Sequence, residues 1–346
     1  MKVRVGVIGT GAIAKYRHLP EYASREDVEI VALCDILENK AVKAAKRFGV
    51  DENKVYTDYK EMLAKEKLDA VSVCLPNYLH AEVTIFALNQ GLHVLVEKPM
   101  ATSVKEADAM ISAAKKNNKV LMVGQNQRLA PLHVLAKKII DSGMLGKVYT
   151  FRTVFGHAGP EHWSPSGSWF FDKQKAFAGS LADLGVHKID LVQFILDDIE
   201  EVACFSAILE KKDCTVDDNS IAIVRMNNGI MGTVETSWTY KPKEENGTVF
   251  FCEKGTLKMA VEPDAPLVAY FSEPGRGRLV FEVPALQTNE EGGQFNTGVI
   301  DSFIDTIHGN IANPIPGEIG KKALTAVIAC MESAKSNRKV KIAEVR

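Results

Sequence analysis

A glycine-rich turn near the start of the chain constrains the fold more than any other feature. The apolar run Val5–Ile8 leads directly into Gly9–Ala14, which reads G-x-G-x-x-A, one form of the dinucleotide-binding fingerprint. The first glycine permits a tight turn, the second lets a pyrophosphate approach the backbone, and the small third residue lets a helix pack on its strand. The pyrophosphate would then lie at a helix N-terminus, where free N–H groups favour an anion. We therefore predict that the cofactor is bound by Gly9, Gly11, Ala12 and Ile13.

Apolar runs alternate with helical segments over the first third of the chain. Strands are predicted at Val3–Ile8, Glu29–Cys34, Val71–Leu75, Leu92–Val96 and Val120–Val123. The helices predicted between them include Ala81–Asn89 and Val104–Lys116. This repeated β-α pattern predicts a doubly wound parallel sheet, and we assign residues 1–123 to an NAD-binding Rossmann domain.

Ligands of open parallel sheets bind outside the carboxyl ends of the strands, so the residues that follow the strands are candidates. Asp35 ends the second strand, where a carboxylate can accept hydrogen bonds from the adenosine ribose and would repel a 2′-phosphate. No adjacent arginine or serine could hold that phosphate, so we expect NAD rather than NADP. The segment Pro76–His80 follows the third of these strands, and its Asn77 and His80 would contact the nicotinamide ribose. Capping of the next helix is an alternative role for Asn77.

The strand Leu92–Val96 ends abruptly in Glu97-Lys98-Pro99. Pro99 restricts the backbone of Lys98 to extended conformations and makes a cis peptide bond possible. A lysine held at this edge can donate hydrogen bonds, carry positive charge, or shift its pKa when it is buried. The alternative is a surface lysine before an ordinary turn.

The pattern changes after Gly124. Beyond a helix at Pro131–Asp141 and a loop rich in Gly, Pro, Ser and Trp at Gly156–Trp169, a series of apolar runs alternates as antiparallel strands do. These runs are Val148–Phe155, Glu201–Leu209, Ser220–Arg225, Met231–Ser237, Thr248–Cys252, Thr256–Met259, Leu267–Phe271 and Leu279–Val283. Residues 124–346 should therefore form an α+β domain with one large, mostly antiparallel, open-faced sheet, covered by helices on one side. The other face could serve as an oligomer interface.

An acid–base pair stands in the predicted helix Ala178–Leu196. Asp183 and His187 are four residues apart, so on a helix they share one face. A histidine titrates near neutrality and can take the proton of a secondary alcohol while the hydride leaves to nicotinamide. Asp183 would orient the substrate or tune the histidine, and Lys98 would hold the reacting oxygen at the interdomain cleft. A surface or capping pair is an alternative, and metal binding is disfavoured because no third ligand stands at a recognisable spacing.

The overall composition excludes several classes of partner. The net charge of 346 residues is −2 and no basic stripe exists, so nucleic acid and anionic membrane are not expected partners. No apolar segment is long enough to span a bilayer, and no room for a signal peptide precedes the first strand. Six scattered cysteines without a C-x-x-C pair indicate reduced thiols and no structural zinc, so we expect a cytoplasmic protein.

In combination, these motifs resemble the Gfo/Idh/MocA family, which includes glucose–fructose oxidoreductase and inositol dehydrogenase. The resemblance covers nearly the whole chain and rests on the glycine turn, Asp35, Glu97-Lys98-Pro99, Gly124–Arg128 and Asp183–His187. It implies a Rossmann domain, a C-terminal domain with an open sheet, and homodimers or homotetramers formed through that sheet. It also implies hydride transfer between NAD(P) and a hydroxyl carbon of a sugar or cyclitol.

The same resemblance implies roles for individual residues. Lys98, Asp183 and His187 match the family's catalytic set, with His187 as the acid/base. Glu97, Lys98 and Gln125 fall among its cofactor contacts. Segments that border the substrate in this family contain Arg128, His157, Trp163 and Trp169; tryptophan faces suit the apolar side of a sugar ring, although they could equally be core or oligomer contacts.

The leading hypothesis is an NAD-dependent dehydrogenase of a free sugar or inositol. A nucleotide-sugar dehydrogenase and an NAD-dependent glycosidase that oxidises its substrate transiently are alternatives within the enzymes. A non-enzymatic sensor of NAD and a sugar is a third hypothesis, against which the intact set of Lys98, Asp183 and His187 argues.

Overall fold

Two compact units make up the protein. The computed structural model describes residues 2–162, 168–284, 287–288 and 295–346. The first unit comprises Met1–Asn126 and Leu286–Lys321, and the second comprises Gln127–Ala285 and Lys322–Arg346. The division into functional domains after residue 123 stays a prediction, because compactness alone does not establish what each part does.

The first unit contains a six-stranded parallel sheet with the strand order β3-β2-β1-β4-β5-β6. Its strands are β1 (Val3–Ile8), β2 (Val28–Cys34), β3 (Val55–Tyr56), β4 (Ala70–Val73), β5 (His93–Val96) and β6 (Leu121–Val123). Every residue of β4 is buried, as expected for a strand covered on both faces. The predicted doubly wound parallel sheet is confirmed, and its strand order reverses between β1 and β4, where ligands of such sheets bind.

Helices α1 to α5 connect these strands, and α10 lies in the same unit. Their bounds are α1 (Leu19–Ala23), α2 (Glu38–Phe48), α3 (Tyr59–Lys65), α4 (His80–Asn89), α5 (Val104–Asn117) and α10 (Val299–Ile307). A π-helical turn, Ala14–His18, precedes α1. Local sequence sets the start of α5: the Ser103 hydroxyl accepts from the Glu106 backbone N–H, and Glu106 in turn accepts from Thr102.

The second unit contains a nine-stranded sheet with the order β14-β13-β12-β11-β7-β10-β9-β8-β17. Its strands are β7 (Val148–Gly156), β8 (Ile199–Ala207), β9 (Asn219–Met226), β10 (Met231–Ser237), β11 (Thr248–Cys252), β12 (Gly255–Glu262), β13 (Ala265–Phe271), β14 (Arg278–Val280) and β17 (Val340–Lys341). Only β7 and β10 pair in parallel; the other pairs are antiparallel. The predicted, mostly antiparallel sheet is confirmed. A separate short hairpin joins β15 (Gln287–Thr288) and β16 (Phe295–Asn296).

Helices α6 to α9 lie within the described part of the second unit, and α11 ends there. Their bounds are α6 (Pro131–Asp141), α7 (Ser168–Phe171), α8 (Lys173–Ala176), α9 (Val186–Ile195) and α11 (Gly317–Ser336). A second π-helical turn, Leu181–Gly185, leads into α9. Helix α6 contacts β12 and β13, and α9 contacts β7.

One face of the second sheet carries apolar side chains in contact with solvent. Along β9, Ile221 and Ile223 are 55% and 58% exposed, while the alternating Ala222 and Val224 are buried. The register places Phe205 of β8, which is 81% exposed, opposite Ile221. Within the described ranges, no helix combines the length and apolar character that crossing a bilayer requires.

Candidate active site

The glycine turn after β1 has the form that a dinucleotide cradle requires. Gly9 has a φ of +91°, and a Cβ at this position would lie 2.2 Å from the Cys74 carbonyl oxygen. Only glycine therefore fits there. A Cβ on Gly11, in contrast, would have no described atom within 4 Å. The open space above Gly11 and the helix that begins beside it fit the pyrophosphate of NAD.

Asp35 braces this turn. Its Oδ2 accepts hydrogen bonds from the Thr10 backbone N–H at 2.8 Å and the Thr10 hydroxyl at 2.9 Å. Its Oδ1 accepts from the Leu37 backbone N–H at 2.9 Å. The carboxylate therefore stands at the end of β2 beside the glycine turn, as a ribose ligand must. Its structural role in holding Thr10 was not predicted from the sequence, and its contact with the ribose stays a prediction.

Glu97 joins the lysine segment to a buried chain of hydrogen bonds. Its Oε1 lies 2.9 Å from His18 Nε2, and its Oε2 accepts from the Lys98 backbone N–H at 3.2 Å. The chain continues through His18 Nδ1 to the Ser72 hydroxyl at 2.9 Å and from there to the Tyr22 hydroxyl at 2.8 Å. The Lys98–Pro99 peptide bond is cis. Both carboxylate oxygens of Glu97 thus already bind protein groups. The contact of Glu97 with the cofactor stays a prediction.

His18 and Glu97 shift each other's pKa values in the directions that favour an ion pair. Burial by itself lowers the pKa of His18, but Cys74 and Glu97 outweigh it and raise the pKa to about 10. Burial also disfavours the Glu97 carboxylate, yet His18 and Lys98 hold its pKa below the usual range. Because burial raises the pKa of the Cys74 thiol, we take Glu97 as the charge that stabilises the imidazolium. An ion pair thus fixes the backbone from which Lys98 projects.

His80 is buried between two backbone carbonyls. Its ring is 1% exposed, with Nδ1 lying 2.8 Å from the Pro99 carbonyl oxygen and Nε2 lying 2.7 Å from the Leu75 carbonyl oxygen. Burial lowers the pKa of His80, and the two carbonyl acceptors oppose that shift. A neutral ring carries one N–H and can donate to only one of these carbonyls, and the contact of His80 with the nicotinamide ribose stays a prediction. The ring lies between Pro99 and the segment that follows β4.

Three other predicted cofactor contacts lie directly after strands. Pro76 and the buried Asn77 follow β4, and their contact with the cofactor stays a prediction. Gln125 follows β6 and is 2% exposed, and its Oε1 has no hydrogen-bond partner among the described residues. A buried acceptor without a donor costs about 1–3 kcal/mol. A ligand that donates to Gln125 would remove that cost, which fits the predicted cofactor contact.

In the second unit, Asp183 and His187 occupy the π-helical turn and the first turn of α9. Both are half-buried. Asp183 Oδ2 accepts a hydrogen bond of 3.2 Å from the indole N–H of Trp238, a fully buried residue. The His187 ring lies 6.2 Å from the ring of Phe155 on β7. Turns of this π type are uncommon and occur frequently at functional sites.

Phe155 also contacts a second histidine of the predicted substrate segment. The His157 ring lies 6.0 Å from that of Phe155 in an edge-to-face arrangement. His157 Nδ1 accepts from the Gly159 backbone N–H at 2.9 Å, which places the proton of a neutral ring on Nε2. The rings of His157 and His187 thus both lie beside Phe155, a residue that the sequence did not single out.

Trp169 belongs to an aromatic cluster. It stacks on Phe170 with ring centroids 3.8 Å apart, and Phe170 meets Trp238 edge-to-face at 6.4 Å. The cluster therefore leads from Trp169 to the residue that binds Asp183. Trp163 lies outside the described residues.

Arg128 has a partner that the sequence did not indicate. Its Nε donates to both carboxylate oxygens of Asp190, at 2.7 and 2.8 Å, and its guanidinium lies 5.2 Å from the Phe194 ring. Asp190 is 1% exposed; burial raises its pKa and Arg128 opposes that rise. Arg128 thus neutralises a buried charge three residues after His187, and its contact with a substrate stays a prediction.

Lys188 is a further charged residue that sequence reasoning missed. It is 1% exposed, its Nζ lies 5.6 Å from the Phe155 ring, and burial lowers its pKa to about 7. The signal available in the sequence is the composition of helix α9, because Lys188 and Asp190 are charged residues among the apolar residues Val186, Ile189, Leu191 and Val192. Among the residues that the structure describes, no group of three or more His, Cys, Asp or Glu side chains is placed to hold a metal ion.

Comparison with known proteins identifies the family. A model of the oxidoreductase family with an NAD-binding Rossmann fold matches residues 3–125, and a model of the GFO/IDH/MocA C-terminal domain matches residues 133–258. D-glucoside 3-dehydrogenase of Escherichia coli is 31% identical over 267 residues, which cover 72% of this chain and 74% of that protein. The chain belongs to the GFO/IDH/MocA family of oxidoreductases.

Other members resemble the chain over its whole length. Myo-inositol 2-dehydrogenase of Thermotoga maritima is 24% identical, with 99% of both chains covered. The structure of a levoglucosan dehydrogenase in complex with NADH has a TM-score of 0.83 and 25% identity, again covering 99% of both chains. The predicted family, the class of oxidoreductase and the NAD cofactor are confirmed.

The two glycines of the turn should respond differently to substitution. Gly9→Ala forces a side chain against the Cys74 carbonyl and into a left-handed backbone, so it should lower the free energy of unfolding by more than about 1 kcal/mol without cofactor. Gly11→Ala should leave that free energy within about 0.5 kcal/mol of the parent. It should nevertheless weaken NAD binding about tenfold or more, because the methyl group fills the pyrophosphate cradle. Urea unfolding and calorimetric NAD titration measure the two effects; unchanged NAD affinity of Gly11→Ala would contradict the placement of the pyrophosphate.

Removal of Arg128 should destabilise the second unit in a pH-dependent way. Arg128→Met leaves Asp190 buried without its cation, at a cost of about 3–5 kcal/mol. The pKa of Asp190 then rises further above its unfolded value, so the folded state holds a proton that the unfolded state has lost, and stability falls as pH rises. Urea unfolding should therefore show a larger loss at pH 8 than at pH 5. Arg128→Lys, which keeps a cation, is the control; equal losses of Arg128→Met at both pH values would refute the assignment to Asp190.

Proposed function

We propose that this protein oxidises a secondary hydroxyl carbon of a free sugar or cyclitol with NAD as the hydride acceptor. The observation that carries the proposal is the arrangement around Phe155, where His187 lies four residues after an Asp183 carboxylate held by the Trp238 indole. Relatives named D-glucoside 3-dehydrogenase, myo-inositol 2-dehydrogenase and levoglucosan dehydrogenase support the same substrate class.

In this proposal each side chain of the candidate set has one task. His187 takes the proton of the substrate hydroxyl, Asp183 orients the substrate, and Lys98 donates a hydrogen bond to the oxygen that becomes a carbonyl. Bound NAD supplies the nicotinamide ring that accepts the hydride. The substrate carbon loses two electrons with that hydride, and the proton goes to His187. The pairing of Glu97 with His18 supports Lys98 in its task, because it holds the backbone beside it.

The binding surfaces follow from the same contacts. Trp169 offers an aromatic face for the apolar side of a sugar ring, and His157 is a further proposed substrate contact. Asp35 is the proposed contact of the adenosine ribose, and Gln125 is a further proposed contact of the cofactor. We assign NAD binding to residues 1–123 and substrate binding and oligomerisation to residues 124–346. All six cysteines carry free thiols, which supports a location in the cytoplasm.

Initial NADH formation at alkaline pH, measured against inositols, aldoses and uronic acids, tests the activity. Lys98→Met and His187→Gln should each lower kcat/KM by about 10²–10⁴-fold, because each removes a group acting on the reacting oxygen or its proton. Lys105→Met, at an exposed lysine of α5, is the matched control and should retain parental activity.

If none of these compounds gave NADH although calorimetry showed NAD binding, the proposed substrate class would be contradicted. That result would favour nucleotide sugars, transient oxidation in a glycosidase, or sensing. Parental activity in His187→Gln would instead contradict its role as the base.

We further propose that two copies of the chain assemble through the exposed face of the second sheet. Phe205, Ile221, Ile223 and Met231 present apolar side chains there, and patches of this kind mark association sites in soluble proteins. A second copy would cover the patch with an identical one.

Ile223→Glu should shift the protein toward monomer in sedimentation velocity, because it places a charge in the apolar patch that the second copy would bury. Ile311→Glu is the control, since Ile311 is also exposed, at 42%, but lies in the first unit. An unchanged sedimentation coefficient in Ile223→Glu would exclude this face as the interface.

A further inference from the structure

We propose that Asp217 is a positioning residue for the reaction, because it fixes the π-helical turn that carries Asp183. The inference rests on the proposed function, in which Asp183 and His187 act on the substrate. Asp217 stands two residues before β9 and 34 residues after Asp183 in the sequence, so no local pattern links them.

Asp217 binds three consecutive residues at the start of the turn. Its Oδ1 accepts from the Gly179 backbone N–H at 2.8 Å. Its Oδ2 accepts from the Ser180 hydroxyl and from the Leu181 backbone N–H, each at 2.8 Å. Its backbone carbonyl accepts from the Ser180 N–H at 2.9 Å. One residue thus satisfies three N–H groups that the start of a helix leaves without an internal partner.

These contacts are transmitted to Asp183 by the main chain. The Asp183 backbone N–H donates to the Gly179 carbonyl at 2.9 Å, so the position of Gly179 sets that of Asp183. The two segments touch closely: a Cβ on Gly179 would lie 1.8 Å from the Asp217 carbonyl oxygen. The negative charge of Asp217 also lies at the N-terminal end of the turn, where the helix dipole favours it.

The side chain of Asp183 is oriented from the same sheet. Trp238 immediately follows β10 and donates to Asp183 Oδ2. Asp217 is itself held by the Ser220 hydroxyl of β9, which donates to its Oδ2 at 3.1 Å. The neighbouring strands β9 and β10 therefore fix the backbone of Asp183 through Asp217 and its carboxylate through Trp238.

The neighbouring Asp218 provides a matched control. Its carboxylate accepts from the backbone N–H groups of Leu209, Glu210 and Lys211, at 2.8, 2.7 and 2.9 Å. Its side chain therefore accepts from three backbone N–H groups, against two for the side chain of Asp217. The contacts of Asp218 reach the loop after β8 rather than the π-helical turn. A purely stabilising role would make the two aspartates equivalent in an activity assay.

The first experiment compares Asp217→Asn with Asp218→Asn on the sugar or cyclitol that the parent oxidises. Asparagine keeps the size of the side chain but replaces one carboxylate oxygen by an N–H₂ group, which cannot accept the hydrogen bonds that this oxygen accepted. Asp217→Asn should lower kcat by about 10–100-fold with KM changed by less than about threefold, since a small misplacement of a catalytic group is costly. Asp218→Asn should keep kcat within about twofold while its melting temperature falls. Equal values of kcat in the two variants would overturn the proposal.

A double-mutant cycle separates positioning from general stability. If Asp217 acts through Asp183, then adding Asp217→Asn to Asp183→Asn should lower kcat by less than about twofold, because the group it positions is gone. Effects that multiply in the double variant would overturn the proposal. Parental kcat in Asp183→Asn would overturn the proposed function as well, whereas parental kcat in Asp217→Asn with a damaged Asp183→Asn would remove the positioning role alone.

Ser180→Ala covers the case in which Asp217→Asn does not fold. It removes only the hydroxyl that donates to Asp217 Oδ2. The expected result is a decrease in kcat of about two- to tenfold that disappears in the Asp183→Asn background. A decrease that persists in that background would overturn the proposal.

Discussion

At the cofactor turn and at the segment that leads to Asp183, a backbone carbonyl occupies the space of a missing side chain. In the first unit the Cys74 carbonyl stands where a Cβ of Gly9 would be, and in the second the Asp217 carbonyl stands where a Cβ of Gly179 would be. These close approaches let a turn from one part of the chain rest directly on the end of another. A π-helical turn follows soon after each glycine, at Ala14–His18 and Leu181–Gly185. The rest of each site depends on the close approach of the carbonyl to the glycine, because that approach sets where the following helix begins.

Carboxylates then fix these turns by accepting backbone hydrogen bonds. Asp35 holds Thr10 and Leu37 beside the cofactor turn, and Asp217 holds Gly179 and Leu181 before Asp183. Each carboxylate comes from a segment after or just before a sheet strand, so the sheets, rather than the helices themselves, define the positions of the turns. Rigid support of this kind is what a site needs in order to keep reacting groups within a fraction of an ångström.

Buried charge is a second common feature of the two units. The His18–Glu97 pair lies beneath the lysine segment, and the Arg128–Asp190 pair lies beside the helix of His187. Removing one partner of such a pair leaves an uncompensated charge, which costs more than the pair contributes. These pairs therefore restrict which residues the protein can accept next to its candidate catalytic groups.

Local patterns in the sequence were sufficient to predict the doubly wound parallel sheet, apart from its short edge strand β3, and also the mostly antiparallel second sheet, the NAD cofactor and the family. They were sufficient because the glycine turn, the strand-ending Lys98 segment and the helical spacing of Asp183 and His187 are each contained within a few residues. The tertiary structure alone decided that the His80 ring lies between the Pro99 and Leu75 carbonyls, and that Trp238 and Asp217 hold Asp183. Those partners are brought together by pairing between strands far apart in the chain. No sequence pattern reports which distant donor will meet a given buried acceptor, because that depends on strand register and close packing.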